Sequence, residues 1–439
     1  MNKINTFGSV QSNSEIISAD GAVRTATLQS VEFSGDKPLP GTVVVCIRDI
    51  KKLLKLAFLL DGTVENLAIL SVNMPQETLY HLSAKLGEHV IVTDLSSSEL
   101  PGAFTFTEFV ETFQANKTNS TRWILATSGT TDVPKLVSHS FESLTKTVKS
   151  KSSLSELNWG LIYDPARFAG LQVVLQAVIS GARLIVPPYG GGLSESICFL
   201  KENNVSALSA TPTLWRKVLL SGFAKGWELK NITLGGEIAE QSILDALVAA
   251  FPGAKIRHIY ASTEAGAGFS VADKLAGFPA EFIDNPPPGL ELRVEDNRLH
   301  FKNNLIGKDY VGTSNTIVDA DGFIDTGDVV ERRDGRYYFR GRANGVINVG
   351  GNKVYPEAVE NLLKELPGIA FIRIYGSKSS IVGELVGADV VLEEGENEQE
   401  VLAQLRAYSA KRLKSFERPI KYRFVDEIDH SENGKIVRS

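Results

Sequence analysis

The sequence has little that would point to an extracellular, metal-dependent or nucleic-acid-binding protein. Only Cys46 and Cys198 are cysteines among 439 residues, too few for a disulfide framework, and we expect both to be buried. The six histidines include no pair at the helical spacing of a transition-metal site. Acidic residues (52) outnumber basic ones (46), so the formal net charge of -6 provides no overall attraction for nucleic acid.

Targeting and membrane signals are also absent from the sequence. The segment 1–20 lacks the basic head and apolar run of a secretory signal, and no run of about 18 apolar residues follows. We therefore expect a cytoplasmic protein without membrane insertion. Its 43% hydrophobic and 22% charged residues are typical of a globular protein. The length fits two or three domains, or one large α/β domain with a small satellite.

The middle of the chain alternates strand and helix patterns. Strands are predicted at 184–186, 205–209, 232–234 and 255–260. Helices are predicted at 195–201, with Ser194 as cap, and at 214–220 and 241–250. This alternation predicts a parallel sheet covered on both faces, with a ligand site at the carboxyl ends of its strands.

The pattern changes after the Asn-Pro-Pro-Pro-Gly segment at 285–289. Short strands and turns follow, and Asp334-Gly335 predicts a hairpin between 329–333 and 336–339. From Tyr355 onward, helices at 356–366 and 399–413 and strands at 370–375, 386–392 and 422–425 predict a small α+β unit of about a hundred residues.

One segment has the composition of a phosphate-binding loop: Ile124-Leu-Ala-Thr-Ser-Gly-Thr-Thr-Asp-Val-Pro-Lys135. Gly129 lets backbone N–H groups curl around an anion, and Lys135 adds positive charge. Hydroxyl donors are offered by Thr127, Ser128, Thr130 and Thr131. The spacing is not that of a Walker A loop. These residues alone leave a phosphate loop and an ordinary Ser/Thr-rich turn equally open.

Four further segments follow that loop in a fixed order. They are Gly235-Gly236-Glu237, Tyr260-Ala261-Ser262-Thr263-Glu264, the run from Gly322 through Asp328 and Arg342 to Glu360, and Asn433-Gly434-Lys435. Together with the loop they resemble the motifs of the acyl-adenylate-forming superfamily, which includes acyl-CoA synthetases, luciferases and the adenylation domains of peptide synthetases. The resemblance extends over residues 121–438, about seventy per cent of the chain.

The resemblance implies an α/β fold with two domains. The large N-terminal domain, 1–342, would bind ATP and the acyl group. It would contain doubly covered sheets and a β-rich subdomain, and its N-terminus would be shortened. A small mobile α+β C-terminal domain, 343–439, would act as a lid, with its hinge at Asn344, where relatives usually have Asp or Lys.

The resemblance also implies a nucleotide site. Thr263, Glu264 and Lys435 would be catalytic: Thr263 donates to the α-phosphate, Glu264 holds Mg²⁺, and Lys435 stabilises the attack of a carboxylate on that phosphate. The implied adenosine-binding set is Gly235, Gly236, Glu237, Tyr260, Ala261, Ser262, Asp328 and Arg342. In it, Tyr260 stacks on adenine and the Asp328 carboxylate accepts from both ribose hydroxyls.

The acyl and thiol pocket departs from the family pattern. Arg167, Phe168 and Gly170 lie where many relatives have Pro-x-x-His-x-x-Gly, and the histidine is missing. Arg167 then either binds a second carboxylate of the substrate or faces the phosphates or the surface. Gly350 and Gly351 would border the thiol tunnel. A further departure is Asp132, a carboxylate within the phosphate loop.

The implied activity is that of an acid-thiol ligase. A small-molecule carboxylic acid and MgATP give acyl-AMP and pyrophosphate, and a thiol then displaces AMP. Coenzyme A is the leading acceptor. The alternatives are the phosphopantetheine of an acyl or peptidyl carrier protein, or amide formation. A catalytically silent nucleotide-binding homologue is a minor alternative, which only Asp132 and Asn344 support.

Overall fold

A computed structural model of the chain describes residues 7, 10, 13–115, 120–127, 134–303, 305–313, 316–379 and 383–429. The elements of its first part, in chain order, are β1 (Glu15–Ser18), β2 (Gly21–Arg24), α1 (Thr25–Gln29), β3 (Lys37–Pro38), β4 (Thr42–Cys46), α2 (Ile50–Leu60), β5 (Asn66–Ile69), α3 (Gln76–Ala84), β6 (Val90–Thr93), β7 (Phe104–Thr105), α4 (Phe106–Thr112), β8 (Phe113–Gln114), β9 (Arg122–Ala126), β10 (Leu136–His139), α5 (Phe141–Thr145) and α6 (Ser152–Ser155).

The central part continues the alternation of strands and helices. Its elements are β11 (Asn158–Gly160), α7 (Phe168–Ser180), β12 (Arg183–Ile185), α8 (Leu193–Glu202), β13 (Ala207–Ala210), α9 (Pro212–Leu220), β14 (Asn231–Gly235), α10 (Gln241–Ala250), β15 (Lys255–Ser262), β16 (Gly266–Val271), β17 (Phe278–Pro279) and α11 (Glu281–Asp284).

The remaining strands belong to two smaller sheets, except β20 (Ile306–Tyr310), which joins a large one. The remaining elements are β18 (Glu291–Glu295), β19 (Arg298–Lys302), β20 (Ile306–Tyr310), β21 (Ile324–Arg333), β22 (Arg336–Arg342), β23 (Ile347–Val349), β24 (Asn352–Val354), α12 (Pro356–Leu363), β25 (Ile369–Ser379), β26 (Gly383–Leu392), α13 (Glu398–Arg412) and β27 (Lys421–Phe424), with 3-10 turns at Ala343–Gly345 and Ser415–Glu417.

Two large sheets make up most of the N-terminal domain. One has the order β16-β15-β14-β13-β11-β12-β1-β2, and the other has the order β20-β10-β9-β5-β4-β6-β7. The central strands β13, β14 and β15 pair in parallel, as their alternation with helices predicted. All five residues of β4 are buried, which fits a strand covered on both faces.

A five-stranded antiparallel sheet, β17-β22-β21-β19-β18, forms the predicted β-rich subdomain. The β21–β22 hairpin turns at Asp334-Gly335, where both residues have positive φ (49° and 75°). An Asp-Gly pair tolerates that backbone conformation, which explains why the sequence located this turn. The hairpin carries Asp328 and Arg342 opposite each other at its far end.

The C-terminal domain has its own sheet, β24-β23-β26-β25 with β27 beside β26, and its own apolar core. On β26, the carboxylate of Asp389 is 1% exposed and pairs with Arg373 and Arg423, each at 2.7 Å. The two arginines make burial of this carboxylate tolerable, since an unpaired buried charge is costly.

An ion cluster joins the C-terminal domain to the large domain. Glu240 accepts from Arg216 at 2.9 Å and from Lys364, at the end of α12, at 3.2 Å. The exposed fractions of these side chains are 10%, 17% and 9%. Nearby, a Cβ on Gly341 would lie 2.3 Å from the Glu357 carboxylate. Glycine at this position therefore lets α12 approach β22 closely.

Three details of the sequence interpretation are corrected by the structure. Helix α8 begins at Leu193 with Gly192 at its N-cap, so Ser194 is not the cap. Helix α12 ends at Leu363, three residues earlier than predicted. Cys46 is buried, but Cys198 is exposed, since it lies on the outer face of α8. Among the described residues, no helix has the length and apolarity needed to span a bilayer.

Candidate nucleotide and acyl site

The two ends of the predicted phosphate loop are held together by backbone geometry. Thr127 N–H donates to the Lys135 carbonyl at 2.8 Å, and Lys135 N–H donates to Thr127 Oγ1 at 3.0 Å. Thr127 directly follows β9, so the loop begins at the carboxyl end of a buried strand. The predicted loop residues Ser128, Gly129, Thr130, Thr131 and Asp132 lie outside the described residues.

A line of charged and aromatic groups extends from this loop. The Lys135 ammonium lies 4.8 Å from the centre of the Tyr310 ring. Burial raises the pKa of Tyr310 to about 12, and the nearby charge of Glu264 adds to this, while Arg342 opposes it. The Glu264 carboxylate therefore lies within electrostatic range of Tyr310. Tyr310 ends β20, the edge strand of the seven-stranded sheet.

Arg342 connects Glu264 to the hairpin. Its Nη1 donates to Asp328 Oδ1 at 3.2 Å. Burial tends to lower the pKa of Arg342, but the negative charges of Asp328 and Glu264 outweigh burial, and the pKa is raised. In the described part of the chain, the Glu264 carboxylate makes no hydrogen bond or ion pair at contact distance.

This arrangement can hold a magnesium ion only together with a ligand. No cluster of three or more His, Cys, Asp or Glu side chains suited to a metal occurs among the described residues. A single uncommitted carboxylate, Glu264, fits Mg²⁺, because that ion usually takes one or two carboxylates and fills its other positions with phosphate oxygens and water.

Tyr260 and Asp328 are joined directly. The Tyr260 hydroxyl donates to Asp328 Oδ2 at 2.6 Å. The Tyr260 ring lies nearly parallel to Phe269 and Phe339, with ring centres 5.2 and 5.1 Å away. Burial raises the pKa of Tyr260, and the charge of Asp328 raises it further, so the hydroxyl stays protonated. Half-buried Tyr260 is thus fixed in position by its hydroxyl and by the two neighbouring rings.

The other predicted adenosine residues occupy the ends of neighbouring strands. Gly235 ends β14, and Gly236 has a φ of +81°, which favours glycine. The Glu237 carboxylate accepts from Thr213 N–H at 2.9 Å, at the first turn of α9. Ala261 and Ser262 end β15, and Thr263 connects that strand to Glu264.

Arg167 touches the phosphate-loop entrance. Its Nη1 donates to the Thr127 carbonyl at 3.0 Å, and its Nε lies 3.9 Å from Asp164 Oδ2. Arg167 Nε and Asp164 Oδ2 are both buried and have no hydrogen-bond partner among the described residues. A Cβ on Gly170 would lie 2.1 Å from the Asp164 carbonyl, so only glycine fits there. Arg167, Phe168 and Gly170 thus form one turn beside the loop.

The predicted hinge and thiol-tunnel residues lie in two turns that follow Arg342. Asn344 lies in the 3-10 turn directly after Arg342. Gly350 and Gly351, with φ of +56° and +86°, form the turn between β23 and β24. No hydrogen bond, ion pair or ring contact within the described ranges joins that turn to the nucleotide group. Lys435 lies outside the described residues.

His139 is a site neighbour that sequence reasoning missed. It ends β10, its ring lies 5.6 Å from that of Phe168, and it is 1% exposed. Nδ1 lies 3.3 Å from Ser143 Oγ, while Nε2 is buried and unpartnered within the described residues. Burial lowers the pKa of His139 to about 4, and the backbone of Thr263 opposes this in part. No local motif distinguishes such a histidine in the sequence.

The buried His139 predicts a pH-dependent stability. An imidazole titrating near 6.5 when unfolded and near 4 when folded binds protons preferentially in the unfolded state between these values. The free energy of unfolding is therefore not reduced by this group above pH 6.5. As the pH falls from 6.5 towards 4, the free energy of unfolding decreases by up to about 3 kcal/mol. Urea unfolding of wild type and His139→Asn across this range measures it. Equal slopes of stability against pH in the two proteins would contradict the prediction.

Comparison with known proteins identifies family models for both domains and individual relatives that match most of the chain. A family model described as AMP-binding enzyme matches residues 55–316, and one described as AMP-binding enzyme C-terminal domain matches residues 358–435. Relatives include a fatty acid–[acyl-carrier-protein] ligase, ScoC, of Streptomyces coeruleorubidus, 26% identical over 344 residues, and a 2-succinylbenzoate–CoA ligase of Staphylococcus aureus (strain JH9), 25% identical over 332 residues. Each match covers 72% of this chain and 65% of the relative, so the chain spans about two thirds of their length.

Solved structures with the same fold include two ligand complexes. The o-succinylbenzoate CoA synthetase MenE from Bacillus subtilis, with its acyl-adenylate intermediate, superposes with a TM-score of 0.73 at 18% identity, covering 97% of this chain and 94% of that one. ATP-bound MatB from Rhodopseudomonas palustris gives 0.78 at 19% identity, covering 97% and 95%. These similarities confirm the predicted fold of a large α/β domain followed by a small C-terminal domain.

Proposed function

The chain belongs to the AMP-binding enzyme family, and on that premise we propose that it is an acid-thiol ligase that forms an acyl-adenylate. A carboxylic acid reacts with MgATP to give acyl-AMP and pyrophosphate, and a thiol then takes the acyl group and releases AMP. The observation that carries the proposal is the line of charged and aromatic groups that runs from Lys135 and Tyr310 past Glu264 to Arg342 and Asp328, on three sheets.

The line of charged and aromatic groups offers each part of ATP a suitable partner. Asp328 is held by Tyr260 and Arg342, and its carboxylate would accept from the ribose hydroxyls. Glu264 would hold Mg²⁺, which supplies charge neutralisation for the phosphates when bound. Thr127 and Lys135, at the two ends of the predicted phosphate loop, would contact the phosphates.

In the first half-reaction a carboxylate oxygen attacks the α-phosphorus, and the bond from that phosphorus to the pyrophosphate oxygen breaks. Both reactants are anionic, so positive groups at the developing charge lower the barrier. Arg342, whose pKa is raised and whose guanidinium pairs with Asp328 at 3.2 Å, would supply one such charge. Lys435 is proposed as the second cation, on the resemblance of the Asn433-Gly434-Lys435 segment.

The acceptor is proposed to be a pantetheine thiol. Coenzyme A and a carrier protein carry the same group, and the two named relatives act, by their names, on one or the other. In the second half-reaction the thiol sulfur attacks the acyl carbonyl. The carbon–sulfur bond forms, AMP leaves with the electron pair of the carbon–oxygen bond, and the thiol proton passes to solvent.

Pyrophosphate exchange tests the first half-reaction without knowledge of the acceptor. Labelled pyrophosphate should enter ATP only when Mg²⁺ and a suitable acid are present, with a panel of short aliphatic, long-chain, aromatic, dicarboxylic and amino acids. A response to dicarboxylic acids alone would assign Arg167 to a second carboxylate. The absence of exchange with every class of acid would refute the ligase proposal and favour a nucleotide-binding homologue without catalysis.

A further inference from the structure

A cleft of about 250 Å³ lies where the β21–β22 hairpin meets α12 and the end of α13. Its lining includes three arginines, two leucines and one acid: Arg333, Arg340, Arg412, Leu362, Leu413 and Glu417. We call it the arginine cleft. No step of the proposed adenylation uses it.

The three guanidinium groups of the arginine cleft make no close ion pair among the residues that the structure describes. Arg333 and Arg412 lie over the rings of Tyr338 and Tyr408, 4.7 and 5.3 Å from the ring centres, which does not use their N–H donors. The nearest carboxylate contacts of the three arginines are Arg340 with Glu331 at 3.5 Å, Arg412 with Glu365 at 3.7 Å and Arg333 with Asp334 at 3.9 Å. Charge-assisted hydrogen bonds are typically about 2.7–2.9 Å long. Within the described ranges none of the three donates a hydrogen bond. The carboxylates are between 46% and 86% exposed, so these pairs contribute little to stability.

Arginines with a structural role in this protein are bonded differently. Arg336, on the same hairpin, donates four hydrogen bonds between 2.7 and 3.3 Å to Asp273 and to three carbonyl groups. The difference shows that the donors of the arginine cleft are not needed to hold the hairpin. They are available to a partner.

The chemistry of the arginine cleft selects an acidic partner with an apolar side chain at its contact surface. The whole chain has a net charge of -6, so a cluster of three arginines is a local exception. Oppositely charged surfaces speed association and fix its orientation. Leu362 and Leu413 would bury an apolar group between the arginines. A small free anion would use the arginines and leave this apolar surface uncovered.

The arginine cleft lies close to the nucleotide group. Arg340 is two residues from Arg342, and Arg333 is five residues from Asp328, along strands that rise about 3.3 Å per residue. The two arginines therefore lie roughly 7 and 17 Å along the hairpin from the predicted ribose site. A partner bound in the cleft would sit beside the reaction centre, with a flexible arm bridging the remaining distance.

We propose that the arginine cleft docks an acidic carrier protein, whose pantetheine thiol is the acyl acceptor. This inference rests on the proposed function and selects its acceptor. The carrier surface would place carboxylates on Arg333, Arg340 and Arg412 and an apolar side chain between Leu362 and Leu413. The thiol would then displace AMP as described above.

Charge reversal tests the docking surface. The triple variant Arg333→Glu, Arg340→Glu, Arg412→Glu should raise the KM for an acidic phosphopantetheinylated acyl-carrier protein by about tenfold or more and remove the dependence of that KM on salt. Transfer to free pantetheine and pyrophosphate exchange should stay unchanged. The matched control is Arg24→Glu, Arg122→Glu, Lys255→Glu, which changes the net charge equally at exposed residues without ion pairs in the described structure. It should behave as wild type.

The outcomes separate this inference from the proposed function. Equal KM values for the carrier protein in the two triple variants would overturn it, as would a wild-type enzyme that transfers to free thiols alone. A rise in KM for coenzyme A without one for the carrier protein would assign the cleft to nucleotide phosphates instead. Failure of exchange in wild type would refute the ligase proposal itself. Thermal unfolding checks folding, and the milder Arg→Gln triple should shift KM in the same direction.

Discussion

Replacing Lys435 by alanine should slow acid-dependent pyrophosphate exchange by about 10²–10³-fold, the loss typical of one transition-state donor. The attack joins two anions, and a cation about 4 Å away contributes roughly 4 kcal/mol at an effective dielectric constant of about 20. The effect should appear in kcat more than in the KM for ATP, because the lysine acts as charge develops. The exchange assay under saturating ATP measures it.

Lys421→Ala is the control for this variant. Lys421 is an exposed lysine of the same domain, on β27, and its removal should leave exchange unchanged. If exchange survives Lys435→Ala at wild-type rate, the role given to Lys435 is wrong, although the ligase proposal would stand. If both variants lose activity, a disturbed C-terminal domain is indicated, and thermal unfolding will show it.

Asp328→Asn should raise the KM for ATP by about 10- to 100-fold. The carboxylate accepts from the Tyr260 hydroxyl at 2.6 Å and from Arg342 at 3.2 Å, and its side chain is 17% exposed. Hydrogen bonds to a charged group contribute about 1.5–3 kcal/mol. The amide nitrogen of an asparagine would place its own N–H donors against the donor group of Tyr260 or Arg342. Loss of the carboxylate would also free Tyr260 and Arg342 from their fixed positions. Steady-state kinetics in ATP at saturating acid measures the change.

Asp321→Asn is the matched control for Asp328. It removes one carboxylate that is 75% exposed and has contact with Arg293 alone among charged groups of the described structure. The KM for ATP of this variant should equal that of wild type. An unchanged KM for ATP in Asp328→Asn would exclude Asp328 from the nucleotide site and remove the main support of the proposed function, the line of charged and aromatic groups that ends at Asp328.

Much of the fold could be predicted because its signals are local. The alternation of β13, α9, β14, α10 and β15 follows from the hydrophobic periodicity of each segment and from the glycines and prolines between segments, all within about 60 residues of sequence. The Asp334-Gly335 turn follows from two residues that tolerate positive φ. The helix boundary at α8 was missed because Leu193 continues the apolar face ahead of Ser194, and a serine next to such a residue need not be a cap.

The chemical groups of the site could likewise be named from motifs, but not how they meet. Thr127, Glu264, Asp328 and Arg342 each lie in a recognisable segment of the sequence. That Lys135 lies over the Tyr310 ring, and that Arg167 donates to the Thr127 carbonyl, follows from neither pattern nor composition. The partners in these contacts belong to strands far apart in sequence, and pairing of the sheets brings them together.

The sequence by itself therefore determined the family and the two-domain α/β architecture, and it predicted a set of residues for binding MgATP and an acid. Only the tertiary structure decided which of those residues are already committed to protein contacts and which remain available. Glu237 is bound to a helix terminus, the Glu264 carboxylate remains uncommitted, and three arginines from two domains converge on one cleft. The physical reason is that hydrogen-bond and charge pairing depend on distances of a few ångströms, which long-range packing fixes and local sequence does not.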